Sequence, residues 1–161
     1  MQQNTNNPSH PNDGVTTKGV VHFQLYGADG KLKQDKTVNN LIVNTGKAHI
    51  ASRLISNTGL TTYFMAIGIG TTDPAVGQTT LISQVGTRVS ATATQGTSPS
   101  DNKVTFAAEF APQNPPSTAA LVEAGIFTAS SGGTMLNRVK FAEINKEAGD
   151  TLVVSWDVTI N

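Results

Sequence analysis

Thr151-Leu152-Val153-Val154-Ser155-Trp156-Asp157-Val158-Thr159-Ile160 is the stretch whose reading decides the fold. Leu152, Val154, Trp156, Val158 and Ile160 occupy every second position, against Thr151, Val153, Ser155, Asp157 and Thr159. Side chains on a strand point alternately to opposite faces, so this period of two marks a strand with one buried face. The same pattern recurs upstream. In 19–27, Val21, Phe23 and Leu25 alternate with His22, Gln24 and Tyr26. In 103–111, Val104, Phe106, Ala108 and Phe110 fall inward.

Turn chemistry separates these runs. Asp29-Gly30 supplies a short hairpin cue between 19–27 and a return strand over 32–38, and 41–43 follows. Residues 64–70 place Met65, Ile67 and Ile69 on one face and Ala66, Gly68 and Gly70 on the other. Glycines along one face of a strand leave room for a close neighbour. A long β region over 79–94, bent near Gly86, comes next, then strands over 119–129 and 135–143 joined by Ser130-Ser131-Gly132-Gly133. Turn signals thus recur at intervals of roughly 8–12 residues, the spacing of a sandwich or barrel. One helix is expected over 45–56, capped by Thr45, with Ala48, Ala51, Leu54 and Ile55 at helical spacing and Asn57-Thr58-Gly59 ending it. The fold class is therefore all-β: a jelly-roll-like antiparallel β-sandwich of about eight strands with one short helix.

Length and charge narrow the function. The 161 residues, 16.8 kDa, suit one domain. Eleven Lys and Arg balance eleven Asp and Glu. Nucleic-acid binding through phosphates needs a positive surplus; with none, and no Lys/Arg cluster, no nucleic-acid partner is expected. The absence of cysteine removes disulfides, thiolate metal sites and cysteine nucleophiles together. No segment reads as a membrane span or as a secretory leader. Residues 1–17 are mostly Asn, Gln, Pro, Ser and Thr with almost nothing apolar, so they read as a flexible polar arm ahead of a core at 18–161. An arm of this kind is expected to be held by a partner subunit, the alternative being that it folds back on its own domain. Asn4, Asn6, Pro8, His10, Pro11 and Asn12 are its candidate contact residues.

Catalytic and ligand motifs are weak. Ile67-Gly68-Ile69-Gly70 has close glycines but neither the Gly-Lys-Ser/Thr sequence nor the helix of a phosphate loop. His10, His22 and His49 lack zinc-motif spacing, and no Gly-x-Ser-x-Gly occurs. Asp73 and Asp101 sit in loops without a calcium-loop pattern. Trp156 reads as core, and Tyr26 and Tyr63 are too scattered for a glycan platform. Among the strand carboxylates, Glu109 and Asp157 read as solvated. An enzyme would need convergent carboxylates, with Glu123 and Glu143 the nearest candidates. Glu123 differs, because it shares a face with Leu121, Gly125 and Phe127. A buried carboxylate needs a partner, and Arg138 or Arg88 can supply it. Glu123 and Arg138 are expected to form a structural ion pair. No catalytic residue, cofactor or metal is expected.

Three stretches in order carry a resemblance. They are Met65-Ala66-Ile67-Gly68-Ile69-Gly70-Thr71-Thr72-Asp73-Pro74 on to Leu81, Val122-Glu123-Ala124-Gly125-Ile126-Phe127 on to Arg138-Val139-Lys140-Phe141, and Gly149-Asp150-Thr151 on to Val158. The set resembles small β-rich virion proteins of tailed bacteriophages, which occur as capsid decoration (cement) proteins or as tail- and fibre-associated proteins. The resemblance implies a decoration protein on the outer capsid surface, with the major capsid protein and copies of itself, as a homotrimer, for partners. A tail, neck or fibre component contacting host glycans is the alternative. Neither reading involves nucleic acid, a membrane or catalysis.

Overall fold

The computed structural model describes residues 16–55 and 62–161. They form nine strands and one helix: β1 (Thr17–Tyr26), β2 (Leu32–Asn39), β3 (Leu41–Ile42), α1 (Asn44–Arg53), β4 (Tyr63–Gly68), β5 (Gln84–Gln95), β6 (Lys103–Phe110), β7 (Ala119–Phe127), β8 (Met135–Lys146) and β9 (Thr151–Ile160). The arm residues Asn4, Asn6, Pro8, His10, Pro11 and Asn12 lie outside the described residues, as does the expected helix terminator Asn57-Thr58-Gly59.

The strands pair antiparallel in one sheet, in the order β2-β1-β9-β6-β5-β4-β7-β8-β3. The sheet folds over on itself through β5. Residues 84–91 of that strand pair with β4, and residues 92–95 pair with β6. Gly86, at φ 64°, sits where the register slips, since Met65 faces Val89 while Ile67 faces Val85. Two steps on β4 thus span four on β5, a bulge that increases local twist and bends the strand. The expected bend near Gly86 is present, although 79–83 is loop and the strand starts at Gln84. The all-β reading holds. In detail the two faces are one nearly closed sheet rather than two separate sandwich halves.

Closure is incomplete between β2 and β8. Lys36 of β2 spans that seam and donates to the carbonyls of Ala142 (3.1 Å) and Glu143 (2.8 Å). Beneath it Phe23 and Phe141 meet with ring centroids 4.3 Å apart. The interior follows the alternation. Val21, Phe23 and Leu25, then Phe106, Ala108 and Phe110, then Leu152, Val154, Trp156 and Val158 line one side. Met65, Ile67, Leu121, Ala124, Ile126 and Val139 line the other. Each Val, Leu, Ile, Phe or Met among them contributes about 1.5–3 kcal/mol when fully buried.

Three local expectations are corrected. Thr45 does not cap α1: the N-cap is Val43, with no side-chain cap bond, and the Thr45 hydroxyl donates to the Met135 carbonyl at 2.6 Å. The apolar stripe of the helix is not buried either. Leu54 and Ile55 are 87% and 91% exposed, and Ala48 and Ala51 are exposed too. The helix docks through Gly46, its buried residue, whose bare Cα lies against the Leu136 backbone of β8. Close backbone approach, rather than a side-chain face, sets the packing. Third, β4 ends at Gly68, so Ile69 leaves the face of Met65 and Ile67 and is exposed.

Candidate functional site

The outer face of β4, β7 and β8 carries a covered polar centre. It begins with a bulge in β7. The register with β8 slips between Leu121 and Glu123. Leu121 therefore joins the main core with Ala124 and Ile126, while Glu123 and Phe127 face the other way. The expectation that Leu121 shares a face with Glu123 fails for this reason.

Glu123 is fully buried opposite Gly68 of β4. A Cβ on Gly68 would stand 2.7 Å from Glu123 Oε1, and one on Gly70 would stand 2.5 Å from it. The glycines of this face make room for the carboxylate. Its Oε1 accepts from the amides of Gly70 (3.1 Å) and Ser83 (2.7 Å). Its Oε2 accepts from the Ile82 amide at 3.1 Å, and from Arg138 Nε and Nη2 at 3.0 and 2.7 Å. Arg138, also fully buried, donates further from Nη1 to Gln78 Oε1 and from Nη2 to the Thr72 carbonyl, both at 2.9 Å. The expected Glu123–Arg138 pair is present.

The pair acts as a clamp on the connection 69–83. Gly70, Thr72, Gln78, Ile82 and Ser83 are all bound to it. Gln78 Oε1 also accepts from the Ala75 amide at 2.9 Å, and Lys140 reaches Asp73 at 2.7 Å from β8. The Lys140 ammonium holds the Asp73 carboxyl below its usual range. Beneath the connection lies a second small apolar cluster of Val43, Ala66, Leu81, Phe127 and Met135. Ile69, Val76 and Ile82 are exposed along its outer surface. The result is a rigid ledge with apolar side chains on a backbone fixed from below.

Arg88 does not compete for Glu123. Its guanidinium stacks 3.5 Å from the Phe127 ring centroid and donates to the carbonyls of Ala129 (3.0 Å) and Gly132 (2.7 Å), fixing the β7–β8 turn.

The other sequence candidates are dispersed. Glu109 is exposed, as expected. Asp157 is not simply solvated: it accepts from the Thr105 hydroxyl at 2.6 Å and Lys103 at 3.0 Å. Burial pushes its carboxyl up, but Thr105 and Lys103 together hold it below the usual value. His22 pairs with Asp35 at 2.7 Å on the outside of β1 and β2. His49 lies beside Tyr63, with Nε2 3.3 Å from the hydroxyl. Tyr63 stacks edge-on against Phe106 at the barrel mouth, away from Tyr26 on β1. No group of three or more His, Cys, Asp or Glu side chains able to hold a metal occurs among the described residues.

A second buried polar group escaped the sequence reading. β8 runs past Glu143 to Lys146, which is fully buried and donates to the carbonyls of Asp150 (2.7 Å) and Ala111 (3.3 Å). Asp150, also buried, accepts from Lys33 at 2.8 Å and the Glu147 amide at 3.0 Å. Burial drives the Lys146 ammonium down, against the opposing charge of Asp150. A lysine at a strand end carries no sequence mark of burial. Like the Glu123 clamp, this group fixes a turn.

Compared with known proteins, the chain matches no protein-family model, no curated protein and no solved structure.

Proposed function

We propose that the protein is a non-enzymatic structural component of a tailed-bacteriophage virion: a capsid decoration (cement) protein that sits on the outer lattice of the major capsid protein and stabilises the head. The observation that carries this reading is how the resembling stretches combine. Residues 65–81 and 122–141 are joined through Glu123 and Arg138 into one rigid ledge. A docking surface already ordered before contact loses little conformational entropy on binding. Repeated over a lattice, modest contacts of this kind add through multivalency. In this reading the buried ionisable groups serve to fix loops, and the arm ahead of Thr16, which is itself paired with Asn161, reaches a capsid subunit or a neighbouring copy.

Copy number tests the proposal. The protein is quantified against the major capsid protein in purified particles that carry it. A ratio near stoichiometric supports decoration. A handful to a few dozen copies per particle overturns it in favour of a tail, neck or fibre role, where binding to host glycans is the next assay. Removing residues 1–15, which spares Thr16 and β1, tests the arm separately. Lower capsid occupancy with an unchanged melting temperature is expected, and full occupancy rejects the arm as an anchor.

A further inference from the structure

One end of the barrel holds a cavity of about 260 Å³ between α1 and the ends of β4, β6, β8 and β9. Ile50, Val104, Phe106, Leu136 and Val158 give it apolar walls. This volume lies just under the roughly 300–1,000 Å³ of small-molecule sites and above the roughly 150 Å³ of an engineered cavity that takes benzene. It suits a single-ring molecule.

The wall has one polar feature that the protein leaves unused. Asn137 lies opposite Ile126, a core residue, on the barrel-facing side of β8, and it lines the cavity. It is 4% exposed, and its Nδ2 has no hydrogen-bond partner among the described residues. A buried amide donor left unpaired costs free energy, and an oxygen placed in the cavity would recover it. The remaining polar groups bear on the ligand's charge. The His49 imidazole is engaged with the Tyr63 hydroxyl. Burial, with the nearby Arg53 charge, lowers its proton affinity and so favours the neutral ring. Arg53 stands at the rim, exposed to solvent. The interior therefore offers apolar walls and one neutral donor.

We infer that this barrel-mouth cavity is a binding site for a small neutral aromatic molecule bearing one hydrogen-bond-accepting oxygen, which the Asn137 side-chain amide recognises. The inference is independent of a virion role.

Two probes of nearly equal shape test it on the full chain: acetophenone, which carries a carbonyl oxygen, and ethylbenzene, which does not. Each is titrated while the Asn137 side-chain amide and the Ile50, Val104 and Val158 methyl resonances are followed by NMR. Saturable shifts at these groups are expected for both, with acetophenone roughly tenfold tighter because it pairs the orphan donor. In Asn137→Leu that preference disappears while ethylbenzene still binds. The idea is overturned if neither probe gives saturable shifts, if the wild-type protein binds both equally, or if the preference survives Asn137→Leu. The wild-type comparison stands alone should that variant fail to fold.

Discussion

Glu123 Oε2 receives both Nε and Nη2 of Arg138, at 3.0 and 2.7 Å, with neither side chain exposed to water. Removing one charge would strand the other in a medium that cannot solvate it. Glu123→Gln is therefore expected to destabilise the protein by about 3–5 kcal/mol. Urea unfolding of the variant against the wild type measures this. A loss under about 1 kcal/mol would show that water reaches Arg138 and would remove the clamp from the account.

Gly70 tests the same clamp by steric means. An added Cβ would meet Glu123 Oε1 and Ile82 Cβ, each at 2.5 Å. Neither neighbour can retreat without breaking a bond to the carboxylate. Gly70→Ala is expected to cost about 1–3 kcal/mol, the usual scale of overpacking. Limited proteolysis should then cut within 71–78 faster than in the wild type. Unchanged cleavage would mean that the ledge is held by other contacts.

The helix makes opposite predictions at two positions. Leu54 is exposed, so Leu54→Lys should alter stability by no more than about 0.5 kcal/mol. Gly46 is pressed against the Leu136 backbone, so Gly46→Ala should be destabilising despite alanine's better helix propensity. Thermal melts of both variants decide it. The reverse order would restore the amphipathic face suggested by the sequence.

Acid should weaken the outer face of β6 and β9. The folded-state value of Asp157 is depressed, so its stabilising contribution is present above the unfolded carboxylate value and is lost as pH falls through the folded one. Asp157→Asn should thus be less stable than the wild type at pH 7, with a smaller deficit at pH 2. Urea midpoints at both pH values give the comparison. An equal deficit at each would trace the effect to lost packing rather than to ionisation.

Lys36 ties the backbone of β8 to β2 across their seam. Replacing Lys36 by Met keeps the aliphatic stem and removes the donors to the Ala142 and Glu143 carbonyls. The expected cost is about 1 kcal/mol. Its specific signature is faster hydrogen exchange at β2 amides, with β9 amides unaffected. Uniform acceleration would point instead to a general loss of stability.

What the sequence revealed and what it hid follow from the kind of interaction involved. β1, β6 and β9 were legible because each has one face in the core, so period two survives in the residues themselves. Glu123 was legible because a carboxylate on an apolar face demands a counter-charge. The three backbone amides that share it were not, since any residue supplies an amide. The β7 bulge moved Leu121 to the opposite face from Glu123 with no compositional sign. Gly46 hid the docking of α1 because close backbone approach leaves no apolar stripe to read. Lys146 hid its burial because its partners are carbonyls, which every residue has.

β9 lies between β1 and β6, although it comes last of the strands in the chain. On the ribosome, the β1–β2 hairpin is therefore made long before the strand that will cover its flank. At about 5–20 residues per second, the interval between the end of β1 and the start of β9 is roughly 6–25 s. Throughout it, Val21, Phe23 and Leu25 of the nascent chain lack the β9 side chains that later pack beside them. The same placement that makes β9 the stave joining β1 to β6 leaves that flank of β1 uncovered until the last strand has emerged.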